Sequence, residues 1–171
     1  MLNRENLRKL IREKNLVAGY IDLDTQITPN GFDLTIESVS SFNSAGALDF
    51  SNKERVLPDC REISLKKQKP EDKFGWWYLE KGAYKARTNE TVNLPNDLIA
   101  IAFPRTSLLR MGAYTHHGVW DAGFQGRGEF VLVVENPKGL ELKQNARVAQ
   151  LIFLRINETT KGYEGIYKNL T

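Results

Sequence analysis

Residues 104–126, PRTSLLRMGAYTHHGVWDAGFQG, hold two arginines, a Thr-Ser pair, two histidines, an aspartate and four glycines. Runs of strand character flank this stretch on both sides. Ionisable groups this dense do not build a hydrophobic core. They point to an anionic ligand and to proton transfer beside it. Arg105, Thr106, Ser107 and Arg110 form one group. The segment after Pro104 is long enough for about one helical turn. Amides at its start, two hydroxyls and two guanidiniums would make a phosphate cradle, because the arginine fork matches phosphate oxygens bidentately. The same residues fit a capped surface helix with two solvated arginines, and spacing does not separate the two.

Further along, His116 and His117 are adjacent. On a strand they face opposite sides, so they do not chelate one metal. One of them can line a pocket, or be a satisfied structural histidine. Asp121 sits in Gly118-Val119-Trp120-Asp121-Ala122-Gly123-Phe124. Apolar neighbours predict a partly desolvated carboxylate, suited to proton abstraction. The other reading is an Asp-Ala-Gly turn at a hairpin tip. Gln150 is placed by strand parity with Val148, Ile152 and Leu154 on an apolar face, where its amide needs a partner from backbone or ligand.

The elements around these residues read mainly as strands. A helix is expected over 3–15, capped by Asn3, with Leu7, Leu10 and Ile11 on one face. Residues 20–27 alternate and predict a strand with one wet face. Pro29-Asn30-Gly31 is a turn, and 32–36 resumes a strand with Asp33 near its start. Residues 43–75 read as a solvated hairpin arm or loop. Strands are expected at 76–79, 84–88, 90–94, 98–103, 129–134 and 147–156, with turns at 80–82, 95–97 and 136–139. The fold class is therefore mainly β, a barrel or sandwich-like roll with a short N-terminal helix.

With 171 residues the chain is most simply one domain over 1–171, with the helix inside segment 1–18 and a polar tail at 157–171. A charged fraction of 26% and a hydrophobic fraction of 41% are those of a globular protein. The net charge of +3 predicts no nucleic-acid partner but does not repel a small polyanion. A single cysteine, Cys60, excludes an internal disulfide and a cysteine-based metal site. No apolar run approaches the length of a membrane span, and the N-terminus has no apolar signal core, so the expected location is the cytoplasm.

Four segments then resemble, in order, motifs of the dUTPase and dCTP deaminase superfamily: Asn30-Gly31-Phe32-Asp33-Leu34, Pro104-Arg105-Thr106-Ser107-Leu108, Gly118 to Gly126, and Arg147 to Phe153. Leu94-Pro95 and Gly162-Tyr163 bring the chain closer to the deaminase-like branch, which includes archaeal dUTPases. The resemblance implies a β-clip fold, a homotrimer with active sites between subunits, and a Mg²⁺-bound deoxynucleoside triphosphate, the metal held mainly by the phosphates. It implies that Arg105, Thr106, Ser107, Arg110 and Gln150 hold phosphates. Gly118, Val119 and Trp120 would line the base pocket through backbone groups, and Phe124 would stack on the deoxyribose. Asp121 would be the general base, with Asp33 supporting the metal–phosphate region.

Deaminases of this superfamily resemble one another in a glutamate ten positions after this aspartate, where the present chain has Val131. A valine moves no proton. The resemblance therefore implies dUTP hydrolysis to dUMP and pyrophosphate, by Asp121-activated water attack on the α-phosphorus. Glu129 shares a strand face with Val131, so a dCTP deaminase, or a bifunctional deaminase and dUTPase using Glu129, is the alternative. In the tail, supporting roles fall to Tyr163 and Lys168. Gly165-Ile166-Tyr167 puts isoleucine where the family often has lysine, and Lys161 or Lys168 could substitute. A tail folding over bound nucleotide would exclude water.

Overall fold

The structure is a computed structural model that describes residues 1–169. Helix α1 (Arg4–Lys14) starts at Asn3, whose side chain accepts the Asn6 amide at 3.0 Å. It stops at Asn15, which adopts the left-handed conformation and returns its N–H to Leu10. Leu7 and Ile11 are buried on its inner face. Strand β1 (Val17–Ala18) follows.

The strand expected over 20–27 is replaced by a turn of helix, α2 (Leu23–Gln26), and by the two-residue β2 (Ile27–Thr28). The cause is capping. Asp22 accepts the Thr25 amide at 2.7 Å, and the Gln26 side chain folds back to accept the amides of Ile21 and Asp22. Local side-chain bonds of this kind outcompete a strand ladder.

Beyond the turn run β3 (Gly31–Phe42) and β4 (Cys60–Glu62). The segment between them doubles back through a bridge of Ala47 with Val56, so the expected arm is a hairpin with β4 at its return. Next come β5 (Trp76–Leu79) and β6 (Gly82–Asn93). The two strands expected at 84–88 and 90–94 are one strand with a register shift between Arg87 and Thr91. Thr88 and Glu90 are both buried in it, so polar residues on the inner face hid the alternation.

The chain continues through β7 (Leu98–Pro104), α3 (Thr106–Arg110), β8 (Ala113–His116), β9 (Gln125–Val134), β10 (Leu140–Lys143) and β11 (Arg147–Arg155). The main sheet has the order β7-β11-β3-β6-β9-β8. Trp120, just beyond β8, pairs with Ala100 of β7 through two amide bonds of 2.9 and 3.0 Å. That bridge brings the two ends of the sheet together as a barrel. Strands β5 and β10 form a separate small sheet.

Two apolar clusters fill the interior. One gathers Leu7, Phe32, Leu34, Leu98, Trp120 and Phe153, and the other Ile36, Trp77, Leu132, Val134 and Val148. Along β11 the buried residues after the register shift are Ala149, Leu151 and Phe153. Gln150, Ile152 and Leu154 lie on the less buried face, so Gln150 is not set into the core beside Val148. The bulge between Arg147 and Ala149 breaks the simple parity on which that placement rested.

Candidate active site

The first constellation forms where β7, β3 and β11 meet. Arg105 follows β7 and anchors its amide on Val148 at 3.0 Å. Its Nε lies 3.0 Å from Oδ2 of Asp33, which is buried on β3. Arg147, at the start of β11, reaches the same oxygen at 3.2 Å and donates to the carbonyl of Thr25. Burial pushes the Asp33 carboxyl up from its ordinary value, and the two guanidiniums oppose that rise. Gln150 lies opposite Asp33 in the β3–β11 register and donates to the Thr28 hydroxyl at 2.7 Å.

Gly31 allows this close approach. A Cβ there would stand 2.3 Å from the Leu151 carbonyl and 3.2 Å from the Gln150 amide. Thr106, Ser107 and Arg110 are exposed on α3, while Leu108 is buried and pins the turn. The structure thus unites Asp33, Arg105 and Gln150 and hangs two hydroxyls and a second guanidinium beside them. Arg147 has no role in the sequence reading. Its signal is its place at the head of the strand that carries Gln150.

The second constellation is a cavity of about 630 Å³ on the β6–β9–β8 side. Gly118, Val119, Trp120, Phe124, Glu129 and Tyr163 line it. Phe42 at the end of β3, and Leu57 and Pro58 of the hairpin arm, are also in its wall, which gives the arm a role as a side of this cavity. Val131 lines it as well. Glu129 pairs with Lys85 at 3.2 Å, and Arg127 pairs with Glu37, so these charges have partners.

His117 packs at a tilt against Trp120, with centroids 5.4 Å apart, and against Phe130 at 4.5 Å. Burial pushes its pKa down to about 4, with the charge of His116 adding to the effect. It is therefore a neutral imidazole at neutral pH. Both of its ring nitrogens are buried without a partner.

Asp121 is exposed. Its buried neighbours are Trp120, Ala122 and Phe124. The turn in which the Asp121 carbonyl accepts the Phe124 amide at 3.1 Å sends the apolar side chains inward and the carboxylate outward. The expected desolvation is therefore absent from the single chain. Neither Asp121 nor the Arg105 group is among the residues lining the cavity.

The tail lies against this side. Tyr163 meets Phe124 edge to face at 5.5 Å and donates its amide to Ala122 at 2.7 Å. Tyr167 lines the cavity, and Lys168 is exposed. Among the described residues no three His, Cys, Asp or Glu side chains gather to hold a metal, and no helix is long and apolar enough to cross a membrane.

The site side of the molecule is thus a nearly closed β barrel with a guanidinium–hydroxyl cluster after one strand and an aromatic-walled cavity across the barrel. A family model described as dCTP deaminase-like matches residues 1–156, and the chain belongs to that family. A protein of Archaeoglobus fulgidus named "Probable deoxyuridine 5'-triphosphate nucleotidohydrolase" is 46% identical over 168 residues, 98% of this chain and 95% of its own. One of the same name from Methanosarcina mazei is 46% identical over 171 residues, covering 99% and 96%. Among solved structures, 2'-deoxycytidine 5'-triphosphate deaminase from Agrobacterium tumefaciens superposes with a TM-score of 0.62 at 21% identity. That match covers 91% of this chain and 48% of the deaminase chain, so the chain spans about half of that protein's length, and the likeness is one of fold.

Proposed function

We propose that the chain hydrolyses dUTP to dUMP and pyrophosphate. The near-full-length relatives named for that activity support the reaction class. The observation that carries the choice of reaction is Val131. It lines the cavity wall ten positions after Asp121, where the resemblance puts the deaminases' proton-transferring glutamate. In this reading Asp121 takes a proton from water, the water oxygen attacks the α-phosphorus, and pyrophosphate leaves. Arg105, Thr106, Ser107, Arg110 and Gln150 hold the phosphates, and their charge and donors stabilise the developing negative charge.

The phosphate group and the aromatic cavity do not share one wall in a single copy. A homotrimer with sites between subunits would bring one copy's Arg105 group to its neighbour's cavity, and would cover the exposed Asp121 carboxylate. Among the described residues no acidic cluster is built to cage a cation, and Asp33 is already engaged by two arginines. Mg²⁺ therefore fits best as the triphosphate's own counter-ion, neutralising phosphate charge.

A second reading is deamination of dCTP. It is favoured by Glu129, which lines the same cavity, and opposed by the Lys85 ammonium that holds its carboxylate. Incubation with dUTP and with dCTP, followed by chromatography of the products, separates the two. Release of dUMP and pyrophosphate from dUTP alone is expected. Ammonia from dCTP would replace this reading with the second.

A further inference from the structure

We propose that the Lys85–Glu129 ion pair reads the polar edge of the pyrimidine and selects uracil over cytosine. This rests on the reading that the chain hydrolyses dUTP at Asp121 with the base in the cavity of about 630 Å³, and it names the groups that choose the base there. Lys85 on β6 and Glu129 on β9 both line the cavity. Along β9, Arg127, Glu129 and Val131 share the less buried face. Val131 stands directly opposite Lys85 in the β6–β9 register, and residues so placed project to the same side of a sheet. Lys85 Nζ lies 3.2 Å from Glu129 Oε1. That contact uses one of three ammonium N–H groups and one of two carboxylate oxygens. Among the described residues neither side chain has another partner. Arg87, opposite Glu129 in the ladder, is bonded to Glu37 at 2.6 Å. The pair therefore offers the cavity open donors and an open acceptor side by side.

The strand fixes the order of the two groups. Asp121, which must reach the α-phosphorus, and Phe124 lie just before β9 begins at Gln125. The sugar and phosphates thus lie at the start of β9, and the ring extends toward Val131. Glu129 is one pleat period, about 7 Å, nearer the sugar than the Lys85–Val131 pair. Around a pyrimidine, leaving the glycosidic nitrogen, the polar positions come in the order O2, N3, then the substituent on C4. Glu129 accordingly meets N3, and Lys85 meets the C4 substituent. Uracil donates its N3–H to the carboxylate and accepts the ammonium on its C4 oxygen. Cytosine sets a lone pair against the carboxylate and an amine against the ammonium. An ammonium has no acceptor and an ionised carboxylate no donor, so neither group adapts to cytosine. His116, the other ladder neighbour of Val131, carries a donor and an acceptor when neutral, and the Tyr163 and Tyr167 hydroxyls both donate and accept, so these do not separate the two bases.

The deciding variant is Lys85→Met, which keeps the aliphatic stem and removes the ammonium. We expect kcat/KM for dUTP to fall about 10- to 100-fold, the range for one hydrogen bond to a charged group, and its ratio to kcat/KM for dCTP hydrolysis to fall at least about tenfold. The deoxyribonucleoside monophosphate of pyrimidin-2-one lacks the C4 oxygen. It should bind the wild type at least about tenfold more weakly than dUMP, and the two should bind Lys85→Met alike. In the wild type, acylation of Lys85 followed by mass spectrometry should slow on addition of dUMP and stay unchanged on addition of inorganic triphosphate. This measurement needs no variant, so it stands even where Lys85→Met does not fold. An unchanged dUTP-to-dCTP ratio in Lys85→Met, or Lys85 acylation that ignores bound dUMP, overturns this inference and leaves the hydrolase reading standing. A protein that neither hydrolyses dUTP nor binds dUMP overturns both.

Discussion

Arg105 Nε and Asp33 Oδ2 stand 3.0 Å apart, joining the residue after β7 to the buried start of β3. The contact ties a phosphate-facing candidate to the barrel core, because Asp33 is 3% exposed and shared with Arg147. Asp33→Asn removes the charge that fixes both guanidiniums. The arginines are partly solvated, so the loss of stability should be about 2 kcal/mol, less than for a fully buried pair. Urea unfolding measures it. If Arg105 holds phosphate, KM for dUTP should also rise about tenfold. A stability loss with unchanged KM would make the contact purely structural.

Asp121 is expected to behave in the opposite way. It is exposed in the single chain, so Asp121→Asn should leave unfolding within about 0.5 kcal/mol of the wild type. As the general base, its loss should lower kcat by about 10²- to 10⁴-fold. Binding of the imido analogue dUpNHpp, followed by calorimetry, should change by less than about threefold. Retained turnover would remove Asp121 from the mechanism.

Much of this arrangement is legible in the residues. Asn3 reads as a cap and is one, and the apolar run before Arg105 reads as a strand and is β7. What escapes the sequence is long-range pairing. Gln26 looks like the wet face of an alternating strand, yet it is buried and donates to Glu90, 64 residues away. Glu90 in turn conceals the continuity of β6. The apolar neighbours of Asp121 invite a desolvated carboxylate, but a turn sends them inward and the aspartate out. His117 reads equally as pocket wall or satisfied core residue, and in the structure it is a wall residue whose ring nitrogens are buried without a partner.

Glu90 itself should set part of the pH dependence of stability. It is fully buried and accepts the Gln26 amide at 2.6 Å, the Thr35 amide at 2.9 Å, and the Thr35 hydroxyl. Burial raises its pKa above the ordinary 4.5, and these donors oppose the rise. The folded state thus holds the proton more tightly than the unfolded chain. The resulting stability is present in full below 4.5 and is lost as pH rises from there through the folded value. Relative to Glu90→Gln, wild-type unfolding free energy should fall with pH across that window, by no more than about 1.4 kcal/mol per unit. A difference that is flat with pH would contradict the raised pKa. Glu90→Ala, which leaves the Gln26 and Thr35 donors unpaired, should cost about 3 kcal/mol below pH 4.5, where Glu90 contributes in full, and less as pH rises through the folded value.

The tail's position depends on Gly123. This residue has φ of 79°, and a Cβ would stand 2.8 Å from the Gly162 Cα and 2.9 Å from the Asn96 side chain. Gly123→Ala therefore meets left-handed strain of about 1–2 kcal/mol and must displace the strand of tail that brings Tyr163 onto Phe124. The barrel need not move, because Gly162 is the less anchored partner. Trypsin cleavage after Lys161 should become at least about fivefold faster, the factor expected from about 1 kcal/mol of local opening. Tyr163→Ala should act in the same direction with the turn intact. Tyr163 and Tyr167 line the cavity, so a bound nucleotide extends the surface on which the tail rests. Addition of dUpNHpp should accordingly slow cleavage in the wild type and do little in Gly123→Ala. Equal protection of both proteins would show that the tail closes without the Gly123–Gly162 contact.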